Sequence, residues 1–541
     1  MRLGSFVVVL VMALGCGGSG PVGAIRFAKA RPVWRVDDRA PISAAPAARD
    51  FYRALYKFDG AIARRATRAM ELRPAKPVLD VNSLDEVPDS TWFVNRIGVR
   101  DLTLDELARG PSTGESPFDH RPWTIVGAKL GGKSLGFTFE DTLKRKFLLK
   151  FDMKAFPEVE TGAHIIVQRI LWATGYNVPQ DHLGYVSRAD LVIGEKARKK
   201  GLDEARLDNA LKLVYRRDDG SIRVLASLFV AGTPLGPYAR EGTRSDDAND
   251  VIRHELRRSL RGQYPIFAWL DHTDMKEDNT LDSYEHGYVT HYLIDFGKAL
   301  GVMGATEPDA SNGHRFLYDL KDATKDLFAF GWRTHPWEGV EQPQLRGIGL
   351  YDAEHFDPGE WRSNLPYWPL LDKDRFDAFW GAKLLMRFKP HELAAIVAQA
   401  KFSDPRAAKY MVDTLLYRQR MTGRYWFDRV APLDAFAVET PEAQPKLCFT
   451  DLTLSYLLRT SATTYAIDTY DHDGNATGVG TTVAAGGKGR TCTALPAAGG
   501  KGDYTIVRIR VRRDHREMPP VVVHVARVAG NNLEVIGLRR R

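Results

Sequence analysis

The spacing of apolar side chains changes several times along this chain, and each change marks a different element. Phe51, Leu55, Phe58 and Ile62 recur at intervals of three and four, which predicts a helix from Ala45 to about Met70. Asn82 to Arg96, with its Pro and Asp residues and Trp92, reads as an irregular packing segment. From Trp123 the texture is that of strands. Trp123–Val126, Phe137–Glu140 and Phe147–Phe151 are extended, and Gly131-Gly132-Lys133-Ser134-Leu135-Gly136 is a turn between the first two. Ala163, Ile166, Val167, Ile170 and Leu171 mark one face of a helix that Gly175 closes before Pro179. Ile222–Val230 is a further strand, ending at Gly232-Thr233-Pro234.

Beyond residue 240 the pattern is helical: Leu256 to Trp269, then Phe376 to Leu384, then Leu393 to Ala400. After Pro432 the period becomes two. Val507, Ile509 and Val511 alternate with Arg508, Arg510 and Arg512, while Val521–Val523 and Leu533–Ile536 extend the strand pattern. Asp473-Gly474 is a hairpin signal. The surrounding Asp471-His472-Asp473-Gly474-Asn475 reads as that hairpin rather than a Ca²⁺ loop, since it lacks the downstream Glu.

A chain of 541 residues is too long for one core, so two or three folded units are expected. No repeat of solenoid period is present. With 76 Lys and Arg against 68 Asp and Glu, the net charge is +8. No block of basic residues accompanies it, so we expect no nucleic-acid partner and read the excess as a solvated surface.

The first residues bear on location. The apolar run Phe6–Leu14 is shorter than the roughly 20 residues a spanning helix needs, and suits the core of an export signal. Followed by Gly15-Cys16, it resembles a bacterial lipoprotein signal, with Ala13 where Leu is usual. The resemblance implies a lipid on Cys16, a membrane anchor and a place in the bacterial cell envelope; an ordinary secretory signal is the alternative. Two cysteines remain, Cys448 and Cys492. In an oxidising compartment such a pair is a candidate disulfide, with two buried thiols as the alternative.

Candidate chemistry is concentrated in His272-Thr273-Asp274-Met275-Lys276-Glu277-Asp278-Asn279, followed after a turn and an apolar strand by Asp295-Phe296-Gly297. Phosphoryl transfer from a nucleotide needs a carboxylate to orient the attacking hydroxyl, ligands for Mg²⁺, and a Lys on the phosphates. An Asp with an Asn five residues later supplies a carboxylate and one hard oxygen ligand, and a second Asp supplies another.

These motifs resemble the catalytic loop and Asp-Phe-Gly motif of the protein-kinase superfamily. Tyr292-Leu293-Ile294 before Asp295 looks like the strand that precedes this motif in phosphoinositide and HipA-type kinases. The resemblance covers roughly residues 120–430. It implies Asp274 as catalytic base, Lys276 on the γ-phosphate, and Asn279 and Asp295 as Mg²⁺ ligands. It further implies that Lys150, oriented by an ion pair with Glu160, binds the α- and β-phosphates. Glu158 is a rival for that pairing. Gly131, Gly132, Lys133, Ser134 and Gly136 would form the loop over the nucleotide phosphates. Asp271 is a rival base, and His272 reads as structural. Each part also has a plainer reading: Lys150 as a strand-edge cation, Glu160 as a first-turn charge favoured by the helix dipole, the glycines as a simple hairpin. Three features depart from typical protein kinases: Thr273 replaces an Arg, no Ala-Pro-Glu follows, and only ten residues separate Lys150 from Glu160.

The expected fold class is therefore α+β: a two-lobed protein-kinase-like domain, a helical N-terminal extension and a C-terminal all-β, sandwich-like domain. The boundaries read as signal 1–15, tether 16–40, extension 41–119, strand lobe 120–232, helical lobe 233–431 and β domain 432–541. The expected activity is an ATP- (or other nucleotide-) and Mg²⁺-dependent phosphotransfer to a protein, lipid or sugar, with the nucleotide near Gly232. Its rival is an inactive kinase fold serving as an anchored scaffold. A metal-dependent hydrolase is a third reading, for which no His-rich ligand spacing is present.

Overall fold

The computed structural model describes residues 37–70, 76–129, 135–304, 307–330, 332–440, 444–496, 504–528 and 532–541. Cys16, Gly131, Gly132, Lys133 and Ser134 lie outside the described residues. The fold is mixed α+β, with four sheets among the described residues.

Six strands form the first sheet: β1 (Trp123–Lys129), β2 (Gly136–Glu140), β3 (Lys146–Phe151), β4 (Asp181–Val186), β5 (Leu191–Ile193) and β6 (Ile222–Leu228). Their order is β4-β6-β3-β2-β1-β5, antiparallel except where β5 joins β1. Alternation along the strands places Trp123, Phe139 and Phe147 in a row on one face, each ring stacked on the next. Leu207 and Leu211, from the helix Glu204–Leu211, complete the core on this face. β4 and β5 were not legible in the sequence, because short strands with polar members such as Asp181 and His182 show no clear alternation.

The helix Val159–Thr174 ends at Gly175, whose φ of 126° is open only to glycine. Its residues Ile166, Val167 and Ile170 join a large helical core with the helices Gln263–Trp269, Arg375–Met386, Pro390–Ala398 and Pro405–Phe427. The expected helix Leu256–Trp269 is broken into Arg258–Arg261 and Gln263–Trp269 at Gly262. There a Cβ would lie 2.4 Å from the Trp380 ring, so glycine permits the close crossing of two helices. The 23-residue helix Pro405–Phe427 was missed by periodicity. Its buried side includes Arg418, Gln419 and Thr422, which interrupt the apolar stripe. Between these helices, β7 (Thr233–Gly236), β8 (Thr280–Glu285) and β9 (Tyr288–Leu293) form a small antiparallel sheet.

The N-terminal helix differs from expectation. It starts at Arg53, passes through a π-helical turn at Asp59–Ala63 and continues over Arg64–Met70. Leu55, Phe58 and Ile62, expected to face a core, are exposed, and Tyr56 is buried instead. Polar anchoring decides the orientation: Arg64 and Arg68 reach Glu241, and Arg240 lies over the Tyr56 ring. Trp92 is buried, stacked on His291 at 3.5 Å between ring centroids, with Arg257 over its ring.

After residue 432, the strands Leu433–Glu439, Lys446–Asp451 and Arg490–Ala494 form one sheet. Thr463–Tyr470, Thr481–Ala484, Thr505–Arg513, Arg516–Glu517, Val521–Arg527 and Leu533–Arg540 form another. Leu447 and Phe449 of the first share a core with Tyr465, Val507, Ile509 and Val523 of the second. Cys448 and Cys492 face each other on adjacent strands and are disulfide-bonded. Asp471 to Asn475 is a turn in which the Asp471 carboxylate accepts from the Asp473 and Asn475 amides. Among the described residues no helix is long and apolar enough to cross a membrane.

Candidate functional site

The period of β3 decides where Lys150 goes. Phe147, Leu149 and Phe151 enter the core under the sheet, so Lys150 emerges on the opposite face. Gly136 is its cross-strand partner on β2. The Lys150 ammonium donates to Asp295 Oδ1 at 2.7 Å. Asp295 follows β9, and a backbone bond from Ile294 N–H to the Asn279 carbonyl ties that strand end to the 274–279 segment.

That segment is held as tightly. Asn279 Nδ2 donates to the Asp274 carbonyl at 2.7 Å and to Asp274 Oδ2 at 3.2 Å. Asn364 N–H donates to the Thr273 carbonyl at 2.7 Å. Asp274 Oδ2 also accepts from Lys276 at 2.8 Å and Lys298 at 3.1 Å. Five separate stretches of chain thus bring Gly136, Lys150, Glu160, Asp274, Asn279 and Asp295 to one cleft of about 670 Å³. Gly232 is not among its lining residues; its φ of 84° turns the chain from β6 into β7.

The electrostatics follow from this crowding. Desolvation in the cleft works against the Asp274 and Asp295 charges, although the Asp295 side chain is half exposed; neighbouring ammonium groups outweigh it, and both carboxyls sit below their ordinary range. Burial also works against the Lys150 charge, yet Asp295, Glu160 and Asp181 together raise its pKa. Glu160 is pushed up to about 7, first by burial, while Lys150 pulls the other way and Asp295 and Asp152 add to the rise.

The expected ion pair between Lys150 and Glu160 is not made. Lys150 bonds Asp295, while Glu160 packs against Gly297, where a Cβ would lie 2.8 Å from Glu160 Cγ. Glu160 lies in the first turn of its helix, and its side chain is taken up by that contact. Glu158 does not pair with Lys150 either: it precedes the helix with φ 68°, and its carboxylate accepts from Ser403 N–H at 2.8 Å. Asp271 faces away from this cleft into a second, small cavity and accepts from Trp361 Nε1 at 3.0 Å. His272 is buried between the Phe267 and Phe296 rings.

Several neighbours were not legible in the sequence. His164 lies 3.5 Å from Lys150 Nζ, and Lys298 shares Asp274 with Lys276. Helical spacing was the available signal for His164, four residues after Glu160; for Lys298 it was adjacency to Gly297. The N-terminal segment forms an outer wall through long-range contacts with no local signature. Arg49 reaches Glu277 at 2.7 Å, Arg53 reaches Asp278 at 2.5 Å, and Phe51, Arg53 and Lys57 line the cleft.

The donors present suit a hard divalent cation. Asn279 spends Nδ2 on Asp274, and among the described residues neither its Oδ1 nor Asp295 Oδ2 has a hydrogen-bond partner. Asn364, which lines the same cleft, is 6% exposed, and its Oδ1 has no partner among the described residues. Carboxylate and amide oxygens are the ligands Mg²⁺ and similar ions accept, with remaining positions taken by water or phosphate.

No protein-family model matches this chain, and no curated protein matches it. Two solved structures overlap it. A crystal structure of the Golgi casein kinase with Mn/ADP bound aligns over 60% of this chain and 73% of its own, at 10% identity and a TM-score of 0.28. A second crystal structure of the Golgi casein kinase aligns over 74% of this chain and 95% of its own, at 9% identity and a TM-score of 0.29. Overlap at this level leaves the chemistry to be read from the cleft itself.

Proposed function

We propose that this chain is a nucleotide- and divalent-cation-dependent phosphotransferase with an atypical, two-lobed kinase-like domain. In this reading residues 120–232 are the strand lobe and 233–431 the helical lobe, preceded by the extension 41–119 and followed by a sandwich-like β domain. The reading includes a lipid on Cys16 that anchors the chain in a bacterial cell envelope. The single observation that carries it is the meeting of Lys150, Asp274, Asn279 and Asp295 in one cleft.

Lys150, on a rigid strand, binds phosphate oxygens of the nucleotide. Asn279 and Asp295 would hold Mg²⁺, which when bound would supply positive charge to the transferring phosphoryl group. Asp274 orients the acceptor hydroxyl and takes its proton as the oxygen bonds to the γ-phosphorus. The bond from that phosphorus to the bridging oxygen breaks, and a nucleoside diphosphate leaves. Held ionised by Lys276 and Lys298, Asp274 is a weak base, which suits a loose transition state in which the proton moves late. Lys276 and Lys298, already at the cleft, supply positive charge beside the transferring group. The acceptor is a hydroxyl of a protein, a lipid headgroup or a sugar.

Thermal unfolding of the full chain with and without Mg²⁺ and ATP tests the reading. A ligand that binds only the folded state raises the midpoint by mass action. The parent should be stabilised, and Lys150→Ala and Asp295→Ala should not. No shift in the parent would overturn the nucleotide site. A shift with neither transfer nor hydrolysis, alike in parent and Asp274→Ala, would instead make the chain a nucleotide-binding scaffold. Palmitate labelling lost in Cys16→Ser tests the anchor.

A further inference from the structure

We propose that His164, fixed by Asp181, is the residue that positions the Lys150 ammonium; its importance to catalysis rests on the phosphotransfer reading. His164 lies one turn after Glu160 on the helix Val159–Thr174 and faces β3 from the same side. Its Nδ1 is 3.5 Å from Lys150 Nζ, and its Nε2 is 2.8 Å from Asp181 Oδ2 on β4. The His164 and Asp181 side chains are 3% and 0% exposed, so water does not compete for either.

These contacts determine the tautomer. An ionised carboxylate can only accept, so the ring proton is on Nε2. The neutral ring then presents the Nδ1 lone pair to Lys150, which has only N–H groups to offer. Protonating Nδ1 would put a second cation against the ammonium. Burial, and then Lys150 itself, hold the His164 pKa below its ordinary value. Burial opposes the Asp181 charge, but His164, Ser227 and Arg169 outweigh it. The other charged groups around the ring are Glu160 on the same helix, Arg169 at the Asp181 carbonyl and Asp295 after β9.

The ring also meets Phe296 edge-on, with centroids 5.2 Å apart. One imidazole therefore touches β3, β4 and the residue after Asp295. With Glu160 occupied at Gly297, the second direction of the ammonium, after Asp295, is set by His164.

The test is the rate at which Lys150 is acylated by an N-hydroxysuccinimide ester in the full chain, read by mass spectrometry for each lysine. Asp181→Asn keeps the shape but offers an amide N–H to Nε2, which moves the ring proton to Nδ1 and aims it at Lys150. The Lys150 pKa should fall, and a fall of one unit raises the neutral amine, and the labelling rate, about tenfold. Other lysines should be unchanged, and nucleotide-dependent stabilisation should drop with it. His164→Ala, a second variant that removes the ring without adding a donor, should also speed Lys150 labelling, by less. In the His164→Ala background Asp181→Asn should have a smaller effect, the part that remains being loss of the Asp181 charge itself. Unchanged Lys150 labelling in both single variants, or an Asp181→Asn effect of the same size with and without the ring, would overturn the proposal. Labelling needs no nucleotide, so failure of the parent to bind nucleotide would count against phosphotransfer and leave this test standing.

Discussion

Glu160 lies against the bare α-carbon of Gly297: a Cβ there would come within 2.8 Å of Glu160 Cγ and 3.0 Å of Oε1. The start of the helix Val159–Thr174 and the Asp295-Phe296-Gly297 turn therefore fit each other only because residue 297 has no side chain. Gly297→Ala should push Glu160 aside and cost about 1–3 kcal/mol, the usual range for overpacking. Urea unfolding of the two proteins measures this. Glu160→Ala should relieve most of the loss, because the clash is with that side chain alone.

Glu160 also makes stability depend on pH. Its folded pKa of about 7 lies above that of an unfolded Glu, so the folded chain holds the proton more tightly. The contribution is fully present below the unfolded pKa of about 4.3 and is lost as pH rises through about 7. Glu160→Gln should flatten the stability profile across that window, and the difference between the two curves should approach about 4 kcal/mol. Chemical unfolding at half-unit pH steps checks this. A parent that gains stability relative to Glu160→Gln as pH rises would contradict the assigned burial.

Asp274→Asn separates binding from chemistry. Nucleotide-dependent stabilisation should persist, because Lys150 and Asp295 do not depend on that carboxylate. Phosphate transfer, or nucleotide hydrolysis where no acceptor is supplied, should fall by about 10²–10⁴. Radiolabelled γ-phosphate followed in parent and variant is the measurement.

Asp152 and Arg223 form a fully buried pair at 3.1 Å. Arg223 continues to Thr161 Oγ1 and to the carbonyls of Ala400 and Lys401, so it joins β6 to the helix Val159–Thr174 and to the turn after the helix Pro390–Ala398. Asp152→Ala leaves that guanidinium without its counter-charge and should cost about 3–5 kcal/mol. Asp152→Asn, which keeps an oxygen in place, should cost less. Guanidinium chloride unfolding distinguishes them.

Cys448 and Cys492 close a loop with a sequence separation of 44. A reduced, doubly substituted Cys448→Ala, Cys492→Ala chain should lose about 2–4 kcal/mol from the C-terminal sheets, chiefly because the unfolded chain regains freedom. Calorimetry together with the far-ultraviolet signal on heating would report it.

Local periodicity determined a good deal of this protein. β1, β2, β3 and β6, the helix closed by Gly175, and the alternating strands around Val507, Val521 and Leu533 follow from the order of apolar side chains, because a strand or helix repeats over a few residues. The Asp274, Asn279 and Asp295 spacing was also legible, since a loop and the strand after it are close in sequence. Tertiary structure decided what no local window contains. Leu55, Phe58 and Ile62 face solvent because Arg64, Arg68 and Tyr56 find partners on distant segments. Lys150 pairs with Asp295 rather than Glu160 because Gly297 leaves room for the Glu160 side chain and its helix brings His164 to the ammonium instead. A charge chooses the nearest opposite group in space, and that distance exists only once β3, β4, the helix and the strand end before Asp295 have packed together.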